Sequence, residues 1–156
     1  MPESASVFIS YAWGPEEPPK SGRRPLQKRA QKIAAALRAH ALGGVWLDTE
    51  KMGAAATGNG LSTAMTQGIE ASDVVIVCLS AAYAASENCK AEFMFAHNKG
   101  KKLLYANVGE PSWDPKSLSG EGAWLLLQLG DRLWADCRSD AAFAGPGGIA
   151  LLTKSG

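Results

Sequence analysis

Apolar positions along this chain follow two rhythms, a period of two and a period near 3.6, and the two rhythms take turns. Val7–Tyr11 reads as a short strand with Val7, Ile9 and Tyr11 on one face and Phe8 and Ser10 on the other. Gly14 to Pro25 contains four prolines and several charges, which breaks both regular structures and makes a loop. From Leu26 to about Ala41 the apolar residues Leu26, Ala30, Ile33, Ala34, Leu37 and Ala41 recur at helical spacing, with basic residues opposite. Gly43-Gly44 ends that helix and Val45-Trp46-Leu47 forms a second strand. Asp48 to Gly60 is a loop rich in Gly, Ala and Thr, and Asn59 or Ser62 can cap the helix that follows, whose stripe is Leu61, Ala64, Met65, Gly68 and Ile69.

Val74–Leu79 is almost wholly apolar and β-branched, the pattern of a central parallel strand covered on both faces. Ser86 caps a helix to about Lys99, with Gly100 as its stop. Leu103–Val108 is a fourth strand, residues 109–120 a loop, Ala123–Leu129 a weaker helix and Arg132–Ala135 a weak fifth strand. The segment from Phe143 to Gly156 holds Gly-Pro-Gly-Gly and reads as a frayed final helix or a chain end. The chain is thus expected to be one domain over 1–156, with its core at about 6–135 and a weakly assigned segment at 136–156.

Strands that alternate with helices imply a parallel sheet with helices on both faces and right-handed crossovers. In the flavodoxin-like form of this α/β series, three layers around a central parallel five-stranded sheet, the strand order is 2-1-3-4-5. Ligands then bind beyond the carboxyl ends of the first and third strands, where the order reverses. That crevice would be lined by Tyr11, Ala12 and Trp13, by the loop after Asp48, and by Ser80 to Glu92.

Composition narrows the chemistry. With 46% apolar and 20% charged residues, the chain is an ordered globular protein. A net charge of +1 gives no general reason to expect nucleic acid or a membrane surface as partner. The charge is uneven, because Lys20, Arg23, Arg24, Lys28, Arg29, Lys32 and Arg38 crowd one segment. A solvated helix face beside a basic loop accounts for that run; attraction of a polyanion such as a dinucleotide, or of a partner domain, is the alternative. Three cysteines, 78, 89 and 137, form neither a CxxC pair nor an even set, which argues against a disulfide framework or a metal site, and Cys78 reads as a buried thiol. His40 and His97 stand apart near helix ends, as surface or capping residues rather than ligands. No secretory leader or bilayer-length apolar run is visible, so a cytoplasmic location is expected.

Glu92 sits at the mouth of the expected sheet, in the run Ser86-Glu87-Asn88-Cys89-Lys90-Ala91-Glu92. At about 100° per residue, Cys89, Phe93 and Ala96 share the inward face and Glu92 lies roughly 60° to one side, with its stem on the protein and its head in a cleft. Trp13 and Trp46 fall near the ends of adjacent strands, where an indole can pack in the core or stack on a ligand ring. Trp113, Trp124 and Trp134 read as packing residues. Asp48 is a weak phosphoacceptor candidate, since the acidic pair of a receiver domain is replaced by Ala12-Trp13; there is also no phosphate-binding glycine motif.

At these residues the chain resembles a Toll/interleukin-1 receptor (TIR) domain. Phe8-Ile9-Ser10-Tyr11 is similar to the first family box, and Trp46-Leu47-Asp48 with Glu50-Lys51-Met52-Gly53 resembles the second strand and the BB loop. Ser80, Tyr83, Ser86, Cys89 and Glu92 resemble the exit of the third strand and the helix with the family's catalytic glutamate. The resemblance implies the flavodoxin-like fold. It implies, for the enzymatic members, an NAD+ glycohydrolase or cyclase that yields nicotinamide with ADP-ribose or a cyclic isomer, without a cofactor or metal, in immune or cell-death signalling. It assigns catalysis to Glu92 and an aromatic lining to Trp46 and Trp13, and it implies TIR–TIR self-association in which one protomer's BB loop completes a neighbour's site. Two positions depart from the pattern: Asn88 stands where Trp is frequent, and Ala12-Trp13 where some enzymatic members are basic. A non-enzymatic assembly module, acting through homotypic contacts of the 51–60 loop and the basic stretch 23–38, is the alternative.

Cleavage at nicotinamide asks little of the protein, because the pyridinium leaves as a neutral base. Orientation and one carboxylate near the cationic ribose are enough.

Overall fold

The computed structural model describes residues 6–14, 16–39, 44–47 and 63–155. Five strands, β1 (Ser6–Ser10), β2 (Gly44–Leu47), β3 (Val74–Leu79), β4 (Lys102–Asn107) and β5 (Ala135–Asp136), form a sheet of order β2-β1-β3-β4-β5. All four pairings are parallel. The alternating pattern predicts the parallel sheet, and the order is the flavodoxin-like one that the TIR resemblance implies.

The helices are α1 (Pro25–Ala39), α2 (Thr63–Glu70), α3 (Ala81–Ala85), α4 (Glu87–Asn98), α5 (Ala123–Leu129), α6 (Asp140–Ala144) and α7 (Ile149–Ser155). Strand β3 is buried at every position, and its side chains divide between two cores. Val75, Val77 and Leu79 join Phe8, Met65, Ile69, Phe93 and Leu125 on the side of α2, α4 and α5. Val74, Ile76 and Cys78 join Val7, Ile9, Ile33, Leu37 and Leu152 on the side of α1 and α7. A strand covered on both faces must be apolar throughout, which is why its sequence shows no alternation.

Three elements differ from the sequence expectation. A separate short helix, α3, precedes α4; Ser80 caps it, accepting a hydrogen bond from the Tyr83 amide at 3.0 Å. Ser86 then adopts an extended conformation that ends α3 and caps α4. The fifth strand lies at Ala135–Asp136 instead of 132–135. Gly130, at φ 57°, and a turn from Arg132 N to the Leu129 carbonyl carry residues 130–134 away before Ala135 can pair with Ala106. Finally, the C-terminal segment forms α6 and α7 on either side of Gly-Pro-Gly-Gly, and Leu152 is buried in the α1-side core. The Asn59 and Ser62 caps, His40 and the end of the first helix beyond Ala39 lie outside the described residues.

Edge strand β2 is held to α2 through one close approach. Trp46 stacks on Phe8 with centroids 6.4 Å apart, and a Cβ at Gly68 would lie 2.9 Å from Trp46 and 3.1 Å from Phe8. Gly68→Val should therefore lower stability by about 1–3 kcal/mol, the usual effect of an overfilled contact. Urea denaturation followed by tryptophan fluorescence measures it; a wild-type midpoint would show that α2 is not seated on Trp46.

Candidate functional site

Phe8 and Ser10 point to the same side of β1, toward α4. Helix α4 meets them with the stripe Cys89, Glu92, Phe93 and Ala96, all buried. Glu92 is only 3% exposed, so it belongs to the inward face and not to the flanking position expected from helical geometry. A carboxylate in such a stripe is costly unless it is hydrogen-bonded.

One partner is Ser10, whose Oγ donates to Glu92 Oε1 at 2.7 Å. The Tyr83 hydroxyl lies 2.7 Å from the same Ser10 Oγ. A serine has one hydroxyl hydrogen; with that given to the carboxylate, Tyr83 must be the donor to Ser10. The result is a directed relay, Tyr83 to Ser10 to Glu92, assembled from β1, α3 and α4. Burial, with the nearby Cys89 and Glu92 as lesser causes, pushes the Tyr83 phenol well above its ordinary range and keeps it a neutral donor. Burial and then the Glu92 charge likewise push the Cys89 thiol up, against a smaller opposing effect of Ser86.

Local sequence explains the placement. Ser86 accepts from the Cys89 amide at 3.1 Å, which fixes the start of α4 and therefore the angle at which Glu92 arrives. Trp124 donates its indole N–H to the Ala84 carbonyl at 2.9 Å and sets its ring edge-on to Phe93, 5.4 Å between centroids. These contacts hold α3 and α4 together, and Trp124 is a packing residue as its sequence context suggests.

The structure brings together Ser10, Ala12, Tyr83, Cys89 and Glu92 on one side of the sheet. Ser80 is buried at the start of α3, and Ser86 and Asn88 are half-buried at the start of α4. Tyr11 and Trp13 belong to the other side. Gln27 donates to the Tyr11 hydroxyl at 3.1 Å, and Trp13 packs near Leu26 beneath the Arg24 guanidinium, 5.6 Å from the ring centroid. Trp46 stands opposite Phe8 in register, 43% exposed. Asp48 and the loop residues Glu50, Lys51, Met52 and Gly53 lie outside the described residues. Ser10 is the site residue that the sequence reading missed. Its signal was the alternation itself: a hydroxyl on the same strand face as Phe8, where a core position was due.

A cavity of about 750 Å³ opens at the strand exits on the α1 side; Ser80 is in its wall and Glu92 is not. No group of acidic, histidine and cysteine residues suited to a metal occurs among the described residues. No helix there is long and apolar enough to cross a membrane.

Comparison with protein families matches residues 7–146 to the TIR domain model. A search of curated proteins finds no match. Among solved structures, the chain is similar to the TIR domains in the activated Roq1 resistosome directly recognizing the pathogen effector XopQ, with a TM-score of 0.62 and 16% identity over 97% of this chain and 99% of that one. At that identity the likeness speaks for the fold.

The three thiols give a pH signature. Burial pushes Cys137 up to about 12 and holds Cys78 and Cys89 well above their ordinary value, whereas exposed thiols titrate near 9. Above that pH the unfolded chain releases protons that the native state retains. Stability is therefore complete below about pH 8.5 and falls as pH rises, by up to about 1.4 kcal/mol per pH unit for each thiol. Urea unfolding from pH 7 to 10.5 tests this, and a midpoint that stays flat or rises would contradict the burial.

Proposed function

This chain belongs to the TIR domain family, and on that footing we propose that it is an NAD+ glycohydrolase or cyclase with Glu92 as its catalytic carboxylate. The observation that carries the reading is the Glu92–Ser10–Tyr83 relay, a buried carboxylate held by directed donors at a strand exit. Apolar packing alone gives no reason to place an acid there, and buried titratable groups beside a fold's ligand crevice are functional candidates.

The reaction begins with cleavage of the bond between the ribose C1′ and the nicotinamide nitrogen. The bonding electrons pass to the ring nitrogen, so nicotinamide leaves neutral and the ribose becomes an oxocarbenium-like cation. Glu92 stabilises that cation, and it does so with little reorganisation because Ser10 already fixes the carboxylate. Water attacking C1′ loses a proton and gives ADP-ribose; attack by a nitrogen of the adenine gives a cyclic isomer. Ser10 acts through Glu92 and is a positioning residue. Ala12 and Cys89 flank the carboxylate, and Ser80, Ser86 and Asn88 complete the neighbouring walls. The loop with Asp48, Glu50, Lys51, Met52 and Gly53, from this protomer or a neighbour, admits the dinucleotide, and Trp46 supplies a ring surface near it. The protein acts in the cytoplasm, in immune or cell-death signalling, through TIR–TIR assembly.

A non-enzymatic assembly module is the second reading. Asn88 in place of an aromatic residue favours it, and so does the absence of Glu92 from the wall of the strand-exit cavity. Nicotinamide release from NAD+, followed over rising protein concentration, separates the two. Glu92→Gln should lower turnover by about a hundredfold or more, the scale of losing one main electrostatic group in an active site. Ser10→Ala should reduce kcat more than it changes KM. A folded Glu92→Gln protein with full turnover removes this mechanism, and a wild type that consumes no NAD+ at any concentration supports the assembly module.

A further inference from the structure

The α1 side of the sheet carries a second feature, whose wall includes Ser80 but not Glu92. The cavity of about 750 Å³ lies where β3 and β4 end and α1 begins, with Leu26, Val108, Pro111 and Trp113 as apolar walls. A second cavity of about 600 Å³ lies alongside, walled by Cys137 and Phe143 and bearing Lys28, Arg29 and Lys32. Pro25 and Arg29 line both, so the two hollows adjoin, as two halves of a trough that share these residues.

The two halves differ in chemistry. Glu17 and Glu110 are the acids of the first hollow, beside its apolar walls. In the second, three cations face one carboxylate, Asp140, which Lys32 engages at 2.6 Å. Lys28 has no side-chain hydrogen bond or ion pair among the described residues. The Arg29 guanidinium makes a single long bond, Nη1 to the Cys137 carbonyl at 3.4 Å. Two cations with donors to spare therefore lie next to a hollow of ring-holding size.

The apolar half is fixed in place. A Cβ on Gly109 would come within 2.8 Å of the Trp113 ring, so the indole lies directly on that backbone. Asn107 Oδ1 accepts from the Gly109 amide at 3.0 Å, and Arg138 donates to the Trp113 carbonyl at 2.7 Å. A rigid aromatic wall costs little ordering entropy on binding.

We propose that this trough is a second, non-catalytic site for a nucleoside diphosphate, with the base against Trp113 and the two phosphates across Arg29 and Lys28. An arginine fork and an unpaired lysine suit a diphosphate. The flat apolar hollow suits a base, and the carboxylates of Glu17 and Glu110 favour one that carries an amino group. The site lies beyond the carboxyl ends of the strands, where α/β sheets hold ligands. It owes nothing to Glu92 and stands whether or not the chain cleaves NAD+.

The test is calorimetric titration of the full chain with ADP, adenosine and inorganic phosphate, on the wild type, a Lys28→Gln/Arg29→Gln variant and Glu92→Gln. ADP should bind the wild type at least about tenfold more tightly than adenosine or phosphate, since each of those fills one half of the trough. The double variant should lose about tenfold or more in ADP affinity through the missing charge-assisted hydrogen bonds, while Glu92→Gln retains it. Equal ADP affinity in wild type and double variant overturns the proposal. So does phosphate binding as tightly as ADP, or loss of ADP binding in Glu92→Gln with the double variant unaffected. ADP has no nicotinamide bond, so failure here is distinct from failure of NAD+ cleavage.

Discussion

A carboxylate buried between a strand exit and a helix constrains everything around it. Glu92 meets the hydroxyl of Ser10 at 2.7 Å, and that hydroxyl meets Tyr83 at the same distance. Removing the Ser10 hydroxyl would take a hydrogen-bond donor from a buried carboxylate, and bonds to charged groups are the more costly ones to lose. The relay therefore sets the separation of β1 and α4 and the depth of α3. The surrounding packing obeys it: Trp124 ties Ala84 to Phe93, and Ser86 fixes where α4 begins. Placement of the acid is thus a property of three elements at once.

The sheet partitions the chemistry of the molecule. On the side of α2 and α4 lie the acid, two hydroxyls and a thiol. On the side of α1 lie cations and two adjoining hollows. Strand β3 can separate them because its residues are apolar in both directions. The basic run seen in the sequence resolves likewise into different duties. Arg24 covers Trp13, Lys32 pairs with Asp140, Arg38 reaches the Val45 carbonyl at 3.2 Å, and Lys28 and Arg29 face the trough.

Much of this was legible from the chain. The run Val74–Leu79 announced a central strand, and helical spacing gave α1 and α4 nearly to the residue. The TIR resemblance rested on short motifs whose order carried the fold, and the family match agrees with it. What escaped had physical reasons. The two-residue β5 is defined by pairing with Ala106 and Asn107, which no local pattern encodes. The break at Ser86 was hidden because one serine serves two helices. Glu92 looked like a flank residue because a charged side chain is normally counted as exposed, and Ser10, far away in sequence, is a donor that helps make its burial tolerable. Tyr11 and Trp13 were assigned to the crevice as neighbours of Ala12, yet alternation past the end of β1 sends them to the α1 side.

The double duty of Ser86 bears on how such a chain can change over time. Because this residue closes one helix and starts the next, the number of residues from it to Glu92 sets an angular phase as well as a length. One extra residue inserted early in α4 would turn everything downstream by about 100°. Ala91 would then face Ser10, and the acid would take the buried place of Phe93 beside Trp124. The exposed side chains along this stretch, Glu87 and Lys90, have room to vary, whereas an insertion or deletion disturbs every buried position after it.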